Sequence, residues 1–262
     1  MRPQDMKWMQ VLVMIRHAES LYNHNKKLKN ENKVYKKFLA AYEKDPFSAE
    51  TKLMAQLVCE ELKLYLTLSD AETPLLDEDC AYTAQVARCL QIETEVPDVL
   101  FVSPYVRTQR TLIILQKYWP ALRKVKVVVD ERIREREFGD VVLYPDMRVF
   151  LALNPDQLRI YQKSDYWYRP SRGENIPDVR LRLRSFNDML IREYSGKKVL
   201  LVTHHLTILA MRSLLDRFGE EEFHRLDQKE KPINSGVTIY KGDPTLSTKG
   251  KLVLNVYNKK YQ

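Results

Sequence analysis

The chain has 262 residues, 44% of them hydrophobic, with only 7 Gly and 12 Pro. That is enough apolar mass for one large domain, and it excludes a fibrous repeat or a long flexible linker. Its 43 Lys and Arg against 35 Asp and Glu give a formal charge of +8, which favours anionic partners as a class but carries no nucleic-acid signature, because no Lys/Arg run exceeds two residues. Cys59, Cys80 and Cys89 are odd in number and form no C-x-x-C pair, so neither a disulfide framework nor a zinc site is expected and a reducing compartment fits. Residues 1–10 lack an apolar signal core, and no stretch approaches the roughly 18 to 20 apolar residues of a membrane span. The expectation is a cytoplasmic protein with no membrane partner and no metal.

In chain order, the first apolar run, 11–15, reads as a buried strand. After it, 24–73 is a long helical region in which 49–68 carries apolar residues at Leu53, Leu57 and Leu64 and at Met54, Val58 and Tyr65, the spacing of helix faces. A helix at 83–90, a buried strand at 99–102, a helix at 107–118 and a further buried strand at 125–129 follow. Residues 140–176 break this rhythm: they hold no apolar strand run and are rich in Tyr, Arg, Pro and Asp, the composition of an inserted cap. A helix over 177–194 is stopped by Ser195-Gly196, a fourth buried strand occupies 199–202, and 235–240 with 251–257 reads as a closing antiparallel pair. Alternating strands and helices predict one α/β domain over 1–262: three layers, α/β/α, with a mostly parallel sheet covered by helices on both faces and a small inserted cap.

The chemistry gathers after the strands. Arg16-His17-Ala18-Glu19-Ser20 follows the first, Ser103-Pro104 and then Arg107 the second, and Thr203-His204-His205 the fourth. In an open α/β sheet ligands bind outside the carboxyl ends of the strands, so these residues are expected to converge. Guanidinium forks suit phosphate oxygens, an imidazole nitrogen can attack phosphorus, and backbone N–H groups at helix starts add to an anion pocket, with no metal required.

These residues resemble the histidine phosphatase superfamily, which includes the cofactor-dependent phosphoglycerate mutases. The family's Arg-His-Gly-x-Ser-x-x-Asn is matched by Arg16-His17-Ala18-Glu19-Ser20-Leu21-Tyr22-Asn23, and its Ser-Pro-x-x-Arg by Ser103-Pro104-Tyr105-Val106-Arg107. Glu135 with Gly139 four residues later is similar to the acid motif, and His204 falls on the second histidine. Gly173-Glu174-Asn175 with Asp178 and Arg182, and 234–238, are further matches, so the resemblance spans about 10–242. The phosphoglycerate mutase-like fold is what it implies. It also implies His17 as nucleophile, Glu135 as proton donor, His204 as the second catalytic histidine, phosphate-binding roles for Arg16, Arg107, Asn23, Ser20 and His205, and no cofactor.

Within the superfamily, Phe138-Gly139-Asp140, Trp167-Tyr168-Arg169-Pro170 and Arg172-Gly173-Glu174 look closest to the broad-range acid phosphatase-like branch, and the Tyr-Gly-x-Leu-Gln-Gly and paired cap arginines of the mutases are missing between Gly139 and Gly173. Three positions depart from the pattern: Ala18 and His205 each replace a Gly after a catalytic histidine, and Tyr82 stands where another Gly is expected. A side chain at 205 is costly if that backbone needs positive φ or a close ligand approach. Glu135 lies among Arg132, Arg134 and Arg136, so a surface ion-pair lattice competes with its proton-donor role and Glu137 is the substitute donor. The cap residues Tyr166, Trp167, Tyr168 and Arg172 suit substrate recognition and packing equally. The expected activity is metal-independent hydrolysis of a small phosphorylated substrate through a phosphohistidine on His17. A mutase-type phosphotransferase and a non-catalytic polyanion-binding protein stand as alternatives. Related proteins leave a homodimer open, with no interface legible in the residues.

Overall fold

The computed structural model describes residues 7–62, 69–78, 80–243, 245 and 251–261. These residues divide into two compact units, one made of 1–20, 74–135 and 178–262, the other of 21–73 and 136–177.

The first unit holds the sheet. Its strands are β1 (Val11–Arg16), β2 (Val99–Val102), β3 (Lys126–Val129), β4 (Lys198–Thr203), β5 (Val237–Asp243) and β6 (Lys251–Lys259), in the spatial order β3-β2-β4-β1-β5-β6. The β3-β2-β4-β1 pairs are parallel, and β5 and β6 close the sheet antiparallel. The unit's helices are α4 (Ala81–Glu93), α5 (Val106–Tyr118), α8 (Ile176–Glu193, all but its first two residues), α9 (His205–Leu215) and α10 (Glu220–Lys229). Strand alternation sorts the core into two faces. Val13, Ile15, Leu100, Val102, Leu200 and Val202 pack with Val86, Leu90, Leu112 and Leu115 of α4 and α5. From the opposite face Phe101 meets Phe186 of α8 edge-on at 5.2 Å between ring centroids. This is the expected three-layer α/β architecture.

The second unit holds α1 (Leu21–Glu31), α2 (Lys33–Lys44), α3 (Ala49–Glu61), α6 (Met147–Leu153) and α7 (Pro155–Tyr161). Asn32 and Ser48 cap α2 and α3 by accepting N–H bonds from Tyr35 and Thr51, the usual service of such side chains to unpaired first-turn amides. Tyr35 and Phe38 of α2 pack with Ala55 and Val58 of α3 and Val149 and Ala152 of α6. A buried Lys29–Asp146 pair at 2.6 Å ties α1 to the start of α6.

Three expectations need correction. The strand at 125–129 was expected to be buried, yet β3 is the sheet edge, with Val127 41% and Val129 56% exposed; it pairs on one side only and an apolar run alone cannot tell edge from centre. In α3 the buried face is Thr51, Ala55 and Val58, while Leu53 and Leu57 face out; small residues fill the close α2–α3 contact and the larger leucines are left outside. Leu64 and Tyr65 lie outside the described residues. The sequence reading also passed over α9, in which nine of eleven residues are buried, because a helix apolar on all sides shows no stripe. Among the described residues no helix is long and apolar enough to cross a membrane.

Candidate active site

Strand register brings the separated motifs level. Arg16 pairs with Thr203 and Val102 with Val202, and the His17 N–H donates to the Thr203 carbonyl at 2.9 Å. His17, Ser103 and His204 therefore leave three neighbouring parallel strands at one height, at the carboxyl end of the sheet.

His17 is buried, and its Nδ1 lies 2.7 Å from the Ala18 carbonyl oxygen. A carbonyl only accepts, so Nδ1 carries the proton and the neutral ring presents Nε2 as a bare lone pair. Burial first, then the Arg107 and Arg16 charges, hold this imidazole well below its ordinary pKa of 6.5, so it is unprotonated at neutral pH.

His204 is fully buried, its ring 5.3 Å from that of His17. Its Nε2 lies 2.7 Å from Ser103 Oγ, which accepts the Tyr105 N–H at 3.4 Å. A Ser103 hydroxyl that accepts the Tyr105 N–H has its own proton available for Nε2, and we assign the His204 proton to Nδ1 on that basis. Nδ1 is buried with no partner among the described residues. Burial, followed by Arg107, also lowers the His204 pKa well below 6.5, which makes the ring a neutral donor.

Two guanidiniums supply the charge. Arg16 anchors Nη1 on the Pro232 carbonyl at 2.7 Å, and its buried Nε has no partner among the described residues. Burial pulls its pKa down to about 10, an effect that Glu135 opposes and Arg107 reinforces. Arg107, buried on the first turn of α5, lies over the Tyr105 ring at 4.8 Å. Glu135 is nearly buried; its Oε2 accepts the Leu206 N–H of α9 at 3.3 Å and its carbonyl accepts from Arg182 Nη2 at 3.1 Å. A carboxylate at a helix N-terminus is favoured by the aligned amides there, and this placement replaces the surface lattice weighed from sequence. Arg182, matched as a motif residue, thus holds the Glu135 backbone.

The remaining candidates divide between the units. Ser20 is buried in the first unit, bridged to Leu75, whereas Asn23 lies on α1 of the second. His205 turns its Nε2 to Asp227 at 2.6 Å, so that nitrogen is not presented to an anion as the expected phosphate-binding role requires. In the second unit Glu137 accepts the Gly139 N–H on its own carboxylate at 3.2 Å. Tyr166 and Tyr168 are core residues there, Trp167 is exposed, and Arg172 is paired with Asp140.

The departures are accommodated. Gly139 and Gly196 have positive φ, as do Arg172, Arg217, Ser235 and Asn258, but Ala18 and His205 do not; neither backbone needs glycine's φ range. Ala18 packs with Leu75, Ala84 and Ile114. The Tyr82 hydroxyl accepts the Tyr261 N–H at 3.2 Å. Two supports escaped the sequence reading. Thr111 Oγ1 accepts the Ala18 N–H at 2.9 Å and donates to the Arg107 carbonyl at 2.6 Å, joining two motifs. Asn234, noted only as part of a matched stretch, donates to the His17 and Ala18 carbonyls at 3.0 and 3.2 Å. A threonine one helical turn beyond a phosphate-site arginine is a signal too common to single out.

Comparison with known proteins bears on this geometry. The sequence model described as the histidine phosphatase superfamily (branch 1) matches residues 66–250. The chain belongs to the histidine phosphatase superfamily. Arg16 and His17 precede the matched span, so their place in the site stands on the strand register. A 2,3-bisphosphoglycerate-dependent phosphoglycerate mutase of Rhizobium meliloti is 27% identical over 158 residues, 58% of this chain and 71% of that protein. A phosphoglycerate mutase-like protein of Arabidopsis thaliana is 27% identical over 183 residues, 62% of this chain and 63% of its own length. Among solved structures, the alpha-ribazole phosphatase of Shigella flexneri has a TM-score of 0.64 at 17% identity, covering 95% of this chain and 96% of its own. A mycobacterial glucosyl-3-phosphoglycerate phosphatase solved with VO3 has a TM-score of 0.61 at 20% identity, covering 95% and 98%. The phosphoglycerate mutase-like fold expected from the motifs is thereby shown; the acid phosphatase-like branch is a finer placement than these matches draw.

Proposed function

We propose that this superfamily member is a metal-independent phosphatase that hydrolyses small phosphate monoesters through a phosphohistidine on His17. The observation that carries the reading is the state of His17: neutral, its Nδ1 proton committed to the Ala18 carbonyl and its Nε2 bare, beside two guanidiniums. That is a nucleophile prepared for phosphorus. Arg16, Arg107 and the Nδ1–H of His204 hold the phosphoryl oxygens and stabilise their charge in transit.

In the first step Nε2 of His17 forms the N–P bond as the P–O bond to the alcohol breaks, and Glu135 gives its proton to the departing oxygen. In the second, water attacks phosphorus, its proton returns to Glu135, the N–P bond breaks and phosphate leaves. The two guanidiniums supply the positive charge that a metal would otherwise bring.

The mutase chemistry named for several relatives is the second reading. The Tyr-Gly-x-Leu-Gln-Gly stretch and paired cap arginines of the mutases are missing between Gly139 and Gly173, which favours the phosphatase. The test is phosphate release from an aryl phosphate with and without EDTA, in wild type and His17→Ala. Release that survives EDTA and is lost in the variant is expected. Conversion of 3-phosphoglycerate primed by bisphosphoglycerate, without net phosphate release, would establish the mutase instead.

A further inference from the structure

His205 stands where the family pattern carries glycine, and its side chain has a defined partner. It is the first residue of α9, and its Nε2 meets Asp227 Oδ1 of α10 at 2.6 Å; Lys231 Nζ backs the same oxygen at 3.7 Å. The Asp227 carboxyl is held below the ordinary carboxylate range by His205 and Lys231 although burial opposes them. Burial holds His205 below 6.5 although Asp227 opposes it. The 2.6 Å approach is a close polar contact between the imidazole and the carboxylate, outside hydrogen-bond geometry, that holds the two buried atoms against each other. The titratable groups bearing on this ring are Asp227 from α10, Arg16 and His17 from the end of β1, and Glu135.

The peptide joining His205 to Leu206 is the one whose N–H holds the Glu135 carboxylate. First-turn amides of a helix have no partner within the helix, and a glycine at that turn leaves them free to fray. Here the His205–Asp227 contact ties the turn to α10.

We propose that His205, anchored on Asp227, is a positioning residue that fixes the first turn of α9 and through the Leu206 N–H sets the orientation of the Glu135 carboxyl. The role rests on the reading of Glu135 as proton donor. A misdirected donor penalises esters whose leaving alcohol needs a proton and spares those whose leaving group departs as a stable anion. The tether therefore governs which leaving groups the site accepts.

The experiment compares wild type with His205→Ala, Asp227→Ala and His205→Gln, the last retaining an N–H donor for Asp227. Its first readout is the carboxyl carbon NMR resonance of Glu135 in the ligand-free protein, assigned through Glu135→Gln. The second is the ratio of kcat/KM for glycerol phosphate to that for p-nitrophenyl phosphate. The resonance is expected to move in both alanine variants and to return toward wild type in His205→Gln, with the ratio falling by roughly tenfold, inside the range a general acid contributes. The double alanine variant is expected to match the single ones, because both remove one contact. An unmoved resonance, or equal slowing of both esters, overturns the proposal. A wild type that hydrolyses neither ester sinks the phosphatase reading, while the resonance still decides the tether.

Discussion

Ser103 offers the sharpest test of the site's proton arrangement. Its side chain is fully buried, and its hydroxyl lies 2.7 Å from His204 Nε2, the contact on which the assignment of the His204 proton to Nδ1 rests. Ser103→Ala deletes that hydroxyl and leaves Nε2 buried without a partner, a change that costs about 1–3 kcal/mol. At about 2–4 °C per kcal/mol for a chain of this size, the melting temperature falls by roughly 4–8 °C for the central value. The catalytic effect follows from the tautomer. Without the serine proton the ring is free to carry its own on Nε2, which removes the Nδ1–H aimed at phosphate. Complete loss of one such donor costs about 10²–10³ in kcat, and partial loss, with both tautomers populated, about tenfold. Ser103→Thr keeps the hydroxyl while adding a methyl to a packed site, so its stability falls by about 1–3 kcal/mol with kcat largely retained. The assays are kcat on p-nitrophenyl phosphate, thermal melts, and imidazole nitrogen NMR of His204, which reads the tautomer directly. A Ser103→Ala protein with unchanged His204 nitrogen shifts and kcat within about twofold of wild type would refute the assignment, since twofold is well short of a lost transition-state donor.

Thr111→Val preserves shape but strands the buried Ala18 N–H; a loss of about 1–3 kcal/mol in a denaturant melt is expected, together with slower turnover, and an unchanged melt would show that the bond is dispensable. Gly139→Ala forces a side chain onto a φ of +54° with its Cβ 2.0 Å from the Ser171 carbonyl oxygen, so at least about 2 kcal/mol of destabilisation and faster proteolysis between residues 136 and 177 are expected. The pH dependence of stability has a definite sign. His17, His204 and His205 all have folded pKa values below 6.5, so below that pH the unfolded chain takes up protons that the native state refuses, and stability present above about 6.5 is lost as pH falls. With up to about 1.4 kcal/mol per pH unit for each group, the three together reach at most roughly 4 kcal/mol per unit. Calorimetric melts at about pH 7.5 and 5.5 check this: a flat or rising Tm on acidification contradicts it, and His17→Asn should make the slope shallower. Asp146 and Asp227, whose pKa values lie below 3.8, lose their contribution only in more acid solution.

What the sequence disclosed followed from local chemistry. The runs at β1, β2 and β4 were legible because each is apolar throughout and ends at a polar motif, which also located the site, since a parallel sheet brings strand ends together. The edge position of β3 was not legible: Val127 to Val129 are as apolar as a central strand, and only the strand order shows that one side is open. In α3 the residues that look like a core, Leu53 and Leu57, are outside, because the α2–α3 contact selects small side chains. At the site, residue types announced His17, Arg107 and His204. Their supports, Thr111, Asn234 and Asp227, act through backbone groups and across long separations, and any threonine, asparagine or aspartate reads the same in one dimension. His205 was visible as a departure from pattern, but its partner lies on the next helix and could be found only in space.

The geometry also weighs turnover against simple anion binding. A protein that only captured polyanions would do so with exposed cations, which are inexpensive to solvate and strengthen binding as their number grows. Here the charge is buried. Arg16 is desolvated to the point of a lowered pKa, and two imidazoles are kept neutral beside it although each, if protonated, would add positive charge to the site. For a pure binding site that arrangement sacrifices affinity and stability together. For group transfer it is what the reaction requires: a nucleophile must hold its lone pair free, and a neighbouring donor must keep one proton on a fixed nitrogen while the phosphoryl group passes. The neutrality of His17 among cations is thus the feature that separates the hydrolase reading from the binding one; burial and the Arg107 and Arg16 charges produce it, while the Ala18 carbonyl, which opposes them, fixes the ring's one proton on Nδ1.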